Sequence, residues 1–176
     1  MTNKFYRKDA TINVYVANLA EYNDGKLVGD WISLPINGND FKDFLKTIGN
    51  PEEIEIHDYE NNSDFDCFEI GEYSSIKDLN EVVEALEEIK NKGLVKEFNS
   101  LYEALEDFEK TLEYLESENY VFYDGMTMEE VAQECIQEYY DIPAYLENYI
   151  DYESYANDMD CDGLYHKTSY GIIEIL

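Results

Sequence analysis

Ile12, Val14 and Val16 alternate with Asn13 and Tyr15, and this period of two predicts a half-buried strand over TINVYVANL (11–19). Asn23-Asp24-Gly25 supplies a turn before a second strand at WISLP (31–35), so the first two strands form a hairpin. Asn39 can cap a short helix that carries Phe41, Phe44, Leu45 and Ile48 on one face and ends at Gly49. The chain returns as a third strand at IEIHDYE (54–60).

The period then lengthens. Ile76, Leu79, Val82, Val83, Leu86 and Ile89 recur at helical spacing behind a Ser74-Ser75 cap, and Gly93 ends the run. Val95 and Phe98 continue a short helix. Ser100 with Glu103 then reads as a capping box for another, carrying Leu101, Leu105, Phe108, Leu112 and Leu115. YVFY (120–123) reads as a strand, and Thr127 with Glu130 as a capping box for a helix through Val131, Ala132, Cys135 and Tyr139. Pro143 and Asp151 open two short helices, and LYHKTSYGIIEIL (164–176) closes the chain as two strands joined around Tyr170-Gly171. The elements predict an α+β chain of three small units. These are an N-terminal α+β unit with an antiparallel sheet (1–72), a central helical unit (73–118) and a C-terminal α+β unit (119–176). No Pro/Gly/Ser-rich linker or internal repeat marks the boundaries.

Charge changes the picture more than any element does. Forty-one Asp and Glu against twelve Lys and Arg give a net charge of −29 over 176 residues. That is far outside the magnitude of about 2 to 8 that suits a small soluble domain. Such a field repels nucleic acid, anionic membranes and acidic proteins and attracts basic surfaces. Hydrophobic residues make up 44% and aromatic residues 15%, which argues for packed cores rather than disorder. Cys67, Cys135 and Cys161 are an odd number at wide spacing without a CxxC, a pattern of reduced thiols. With only His57 and His166 as nitrogen ligands, a zinc site is not expected, nor is any cofactor. MTNKFYRKDA lacks a following apolar run and no stretch approaches the length of a membrane span, so the expected location is the cytoplasm.

The acids are distributed rather than collected in a tail. Residues 1–72, 73–118 and 119–176 carry nets of −9, −8 and −12, and no Lys or Arg lies between Lys110 and Lys167. Along the predicted helices Glu81, Glu84 and Glu88 step at three or four residues. So do Glu103, Glu106, Glu109, Glu113 and Glu116, and then Glu130, Glu134 and Glu138. Residues so spaced lie about 5–6 Å apart, and each like-charged pair four apart destabilises its helix by roughly 0.2–0.5 kcal/mol. A sequence selected for stability alone would interleave more lysines. Duplex DNA also carries regular negative charge, one per strand for about every 3.4 Å of axis. Folded carboxylate arrays, extended here by Glu147, Asp151, Glu153 and Asp158, can imitate it. The competing reading is a solvated acidic face kept for solubility.

Other constellations carry less. Asp158, Asp160 and Asp162 before Gly163 match the opening of an EF-hand calcium loop, but the closing position falls on Ser169 instead of glutamate. A calcium-binding module on these three aspartates is the alternative reading, beside an acidic adaptor for another basic DNA-binding protein. Paired carboxylates are too common here to indicate acid–base catalysis, and no GxSxG, P-loop or GxGxxG is present. The 17 tyrosines read as core and interface residues. The sequence presents no catalytic centre.

Three further stretches stand out: INVYVANLAEYNDGKLVGDWISLP (12–35), with Tyr15, Tyr22, Asn23, Gly25, Gly29, Trp31, Leu34 and Pro35; IHDYE (56–60); and IPAYLENYIDYESYANDM (142–159), with Tyr149, Asp151, Tyr152, Glu153, Tyr155 and Asp158. In order, they resemble the N-terminal signature, the strand that closes that unit, and the C-terminal region of the ArdA antirestriction family. The resemblance implies an elongated row of three units that dimerises through the C-terminal unit. It implies a DNA mimic that occupies the DNA-binding groove of type I restriction-modification enzymes, formed by their specificity and methyltransferase subunits, and that binds neither nucleic acid nor membrane.

Overall fold

A computed structural model describes residues 3–65 and 70–176. Cys67 lies outside the described residues. The fold is α+β, as the patterns predict, with seven α-helices and two three-stranded antiparallel sheets among the described residues. The chain divides into two compact units, Met1–Gly93 and Leu94–Leu176.

In the first unit the strands are β1 (Ile12–Asn18), β2 (Gly29–Leu34) and β3 (Ile54–Asn61), arranged β2-β1-β3. The alternation in β1 sends Ile12, Val14 and Val16 to one face, where each is fully buried. They pack with Ile32, Leu34 and Ile56 from the flanking strands, with Phe44 and Ile48, and with Ile76 and Val83. The latter four belong to, or directly end, α2 (Gly38–Thr47) and α3 (Ile76–Lys92). Two details depart from the sequence reading. The β1–β2 connection contains a short helix, α1 (Leu19–Asn23), rather than a tight turn alone. The cap of α2 is Asn37, whose side chain accepts from the backbone N–H groups of Asn39 and Asp40, because the helix begins one residue before Asn39.

α3 belongs to this unit. Its Asn80 amide both donates to the Ile36 carbonyl and accepts the Ile36 N–H, each at 2.9 Å, and Thr11 donates to Glu87 at 3.0 Å. Ser75 caps its start, and Gly93 closes it with φ 76°, a left-handed position that glycine occupies without a Cβ penalty. The stretch read as a central helical segment therefore contributes α3 to the first unit and its remaining helices to the second.

The second unit contains α4 (Val95–Leu105), α5 (Phe108–Ser117), β4 (Tyr120–Asp124), α6 (Met128–Tyr139), a 3-10 turn at Glu147–Tyr149, α7 (Tyr152–Cys161), β5 (Tyr165–Thr168) and β6 (Gly171–Ile175). Its sheet order is β4-β6-β5. The central strand buries both Ile172 and Ile173, which point to opposite faces, so this sheet is covered on both sides. Ile172 packs with Met128, Val131, Ala132 and Cys135 of α6 and with Ala156 and Met159 of α7. α4 lies against β5 and β6 and brings the fully buried Phe98 and Leu101.

Ser100 is not a helix cap. It sits inside α4, buried, with its hydroxyl 3.0 Å from that of Thr168. The break falls at Glu106, with φ 52°, and Asp107 caps α5 by accepting from Lys110 N–H. The Ser100 and Glu103 spacing matches a capping box by composition, but an apolar face continuous from Phe98 to Leu101 keeps the helix running through it. Thr127 and Glu130 do form the expected box around the start of α6. Asp151 caps α7 as read.

Candidate protein-binding surface

All fifteen carboxylates proposed as a surface array lie in exposed positions. Their placement follows from the amphipathic helices that carry them. In α5, Thr111 and Leu115 face inward while Glu109, Glu113 and Glu116 face water. In α6, Val131, Ala132, Cys135 and Ile136 are buried and Glu130, Glu134 and Glu138 line the opposite side. In α3, Glu81, Glu84 and Glu88 occupy the face away from Val83, Leu86 and Ile89. At about 1.5 Å of rise per residue, acids four apart are spaced about 6 Å along each axis.

The array is not uniform in its local bonding. Glu81 pairs with Lys77 at 3.3 Å and Glu88 with Lys92 at 2.7 Å, and the lysine holds the Glu88 carboxyl below the usual range. Glu103 accepts the Ser169 N–H at 2.8 Å and so ties α4 to the turn between β5 and β6. Glu130 accepts the Thr127 N–H at 2.8 Å, and Asp151 accepts the Ser154 N–H at 3.0 Å. Those backbone donors, with the neighbouring hydroxyls, lower both carboxyl pKa values. Glu106, at the left-handed end of α4, Glu147 in the 3-10 turn, and Glu153 and Asp158 on α7 are exposed to solvent.

Cation supply separates the two units. Leu94–Leu176 holds 21 Asp and Glu but only Lys96, Lys110 and Lys167 as Lys or Arg. Lys96 binds Asp124 at 2.7 Å, Lys167 binds Asp160 at 2.7 Å, and Lys110 lies 4.0 Å from Asp107. None of those three acids belongs to the array. The candidates of the second unit therefore have no salt-bridge partner within it.

The calcium-loop reading is corrected. Asp158 and Asp160 sit within α7 and Asp162 is its C-terminal cap, so the three are on a helix rather than wrapped around a point. Residues two apart on a helix diverge by about 200°, and Asp160 is engaged by Lys167. Among the described residues no group of three or more His, Cys, Asp or Glu is placed to hold a metal ion. Nor is any helix there long and apolar enough to cross a membrane.

Sequence reasoning missed two features. In the second unit, Tyr123 donates to Glu174 at 3.3 Å, and burial, more than the nearby Cys135 and Glu174, pushes its phenol pKa upward. Burial also raises Tyr165, to which the Glu174 carboxylate adds. In the first unit, Tyr15, Trp31, His57 and Tyr22 gather their rings on the sheet face opposite the core. The period-two pattern of β1 already placed Tyr15 on that face, but the strand pairing that sets Trp31 beside it is not visible in either strand alone.

The second unit thus presents an exposed carboxylate surface, poor in cations, carried on amphipathic helices. The family model for antirestriction protein (ArdA) matches residues 14–174, and the chain belongs to that family. It is a family of antirestriction proteins. No curated protein matches the chain.

The capping box makes a testable contribution to α6. Thr127→Ala should cost about 1 kcal/mol at neutral pH, measured by urea denaturation. Glu130 has a folded pKa below its ordinary 4.5, so its contribution is present above that value and fades as pH falls through the folded one. The stability gap between wild type and a second variant, Glu130→Ala, which removes the titrating carboxylate itself, should narrow below about pH 4.5. An equal gap at pH 7 and pH 3 contradicts the assignment.

Proposed function

We propose that this protein is a competitive inhibitor of type I restriction-modification enzymes that works by DNA mimicry. Its carboxylates replace phosphates against the Lys and Arg side chains lining the DNA groove formed by the specificity and methyltransferase subunits. The observation that carries the reading is the second unit, where 21 acids meet three lysines and the array acids of α5 and α6 have no salt-bridge partner among the described residues. Solubility alone does not account for repeated like-charged pairs along single helices, which weaken those helices. The ArdA family membership supplies the class of target. The site of action is the cytoplasm, where restriction enzymes meet incoming DNA.

Because many similar charges share the interaction, single neutralisations should have small effects. Glu113→Gln should leave displacement of DNA from a purified type I methyltransferase within about twofold of wild type. Glu109→Gln, Glu113→Gln and Glu116→Gln together with Glu134→Gln and Glu138→Gln should weaken it at least about tenfold, as cumulative loss of charge contacts requires. If one substitution abolishes displacement, or the combined variant matches wild type, the distributed mechanism is wrong.

The protein acts as a homodimer joined through its C-terminal region. Supporting this, Tyr139, Tyr140, Tyr145 and Tyr149 are 60–85% exposed on a segment (139–149) that is exposed at every residue but Ile142, and exposed tyrosines are characteristic of interfaces. Sedimentation should give a dimer, and Tyr145→Asp with Tyr149→Asp should give a monomer. A wild-type monomer at all concentrations contradicts this.

A further inference from the structure

The outer face of the first sheet carries rings that imitation of a phosphate chain does not use. Tyr15 of β1 stands directly opposite Trp31 of β2 and Asp58 of β3. The Tyr15 and Trp31 rings meet edge to face with centroids 5.7 Å apart. Tyr6 meets Trp31 in the same manner at 6.4 Å, and its hydroxyl donates to Glu60 at 3.1 Å. A register shift after Tyr15 inserts an extra residue into β3. Beside it His57 lies 6.4 Å from the Tyr15 ring and 4.4 Å from that of Tyr22, with Nε2 3.1 Å from Glu55. The arrangement is built rather than incidental. A Cβ on Gly29 would lie 2.6 Å from the Val16 carbonyl oxygen and 2.9 Å from the Tyr15 ring, so the glycine admits both the close approach of β1 and the ring beside it.

This face is open at its centre. α2 and α3 pack on the opposite side, against Ile12, Val14 and Val16. The N-terminal segment covers only one end, where Asn13 and Ser33 are buried and Arg7 N–H donates to Ser33. Tyr15 and Trp31 are partly buried but keep some exposure, and Tyr22 is 50% exposed. Asp58 accepts the Tyr59 N–H through one oxygen and is otherwise directed to solvent. Electron-rich ring faces bordered by carboxylates are complementary to a cation, and to a planar one above all. Guanidinium stacks on aromatic rings and forks onto carboxylates, whereas ammonium is a compact, strongly hydrated charge.

We propose that this face is an arginine-docking site, with Trp31 stacking a guanidinium of the basic protein partner, Tyr15 bordering it at a steep angle, and Asp58 and Glu60 receiving its N–H groups. The proposal rests on the reading that the acidic surface engages a DNA-binding protein, and it adds what a phosphate backbone lacks. Aromatic and arginine pairs concentrate binding energy, whereas the carboxylate helices spread it. The site gives the protein a contact that a duplex cannot make with the same enzyme.

Trp31 is the sole tryptophan, so its emission reports on this face directly. The full-length protein is titrated with an oligo-arginine peptide and an oligo-lysine peptide of equal length. The arginine peptide should change Trp31 emission and bind about two- to fivefold tighter than the lysine peptide, the margin expected of an exposed cation–π contact. Asp58→Asn and, separately, Tyr15→Leu should reduce that preference while leaving affinity for the lysine peptide unchanged. Circular dichroism confirms that each variant is folded, and Asp58→Asn alters only an exposed side chain. Equal affinities with no change in emission overturn the proposal, as does an arginine preference that survives in Asp58→Asn. Displacement of DNA from the type I methyltransferase is measured in parallel. A wild-type protein without arginine preference but with intact displacement sinks this site alone, whereas wild-type arginine preference without displacement leaves the site and removes the DNA-mimic reading.

Discussion

Like-charge repulsion along single helices is the constraint to which the rest of this structure responds. Carboxylates three and four residues apart on α3, α5 and α6 oppose the helices that carry them. Each helix is therefore held from its other side. Val83, Leu86 and Ile89 anchor α3, Thr111 and Leu115 anchor α5, and Val131, Ala132, Cys135 and Ile136 anchor α6. Capping adds to this at the ends, with Ser75, Asp107, Thr127 and Asp151 each accepting a backbone N–H. The acids at helix starts have a second use, since a negative charge there meets the positive end of the helix dipole. Glu130 and Asp151 thus stabilise structure and contribute to the surface charge together.

The two units meet this constraint differently. The first spreads nine Lys and Arg among its acids, and several form short pairs such as Lys26–Glu21, Lys46–Asp43 and Lys92–Glu88. The second has three lysines, each beside an acid outside the proposed array. Its sheet compensates by being covered on both faces, with Ile172 and Ile173 packed in opposite directions. A deep core beneath an uncompensated surface is what a rigid scaffold for repelling charges requires. The aromatic face of the first unit then offers directional contacts where the helices of the second offer only charge.

Much of this was legible in the sequence. Period-two alternation located β1, helical spacing with Ser75 and Gly93 bounded α3, and the Thr127–Glu130 box opened α6. The exposure of the carboxylates followed from the same patterns, because each apolar stripe leaves only one side for acids. Errors arose where local chemistry was ambiguous. Asn37 and Asn39 are both competent caps, and only the path of the chain chooses between them. Ser100 and Glu103 imitate a capping box, yet Ser100 is buried against Thr168, a partner 68 residues away. The Asp158, Asp160 and Asp162 spacing suits a loop, but the apolar pair Ala156 and Met159 at helical spacing wins and places the acids on α7. The aromatic face depends on cross-strand register, which no single segment encodes.

Ionic strength directly probes whether the surface charge acts collectively against a cationic groove. The affinity of the full-length protein for a purified type I methyltransferase, measured from low to high salt, should fall steeply, with log K decreasing linearly in log salt concentration as it does for a polyanion. An affinity that stays constant across that range would show that the carboxylates do not stand in for phosphates.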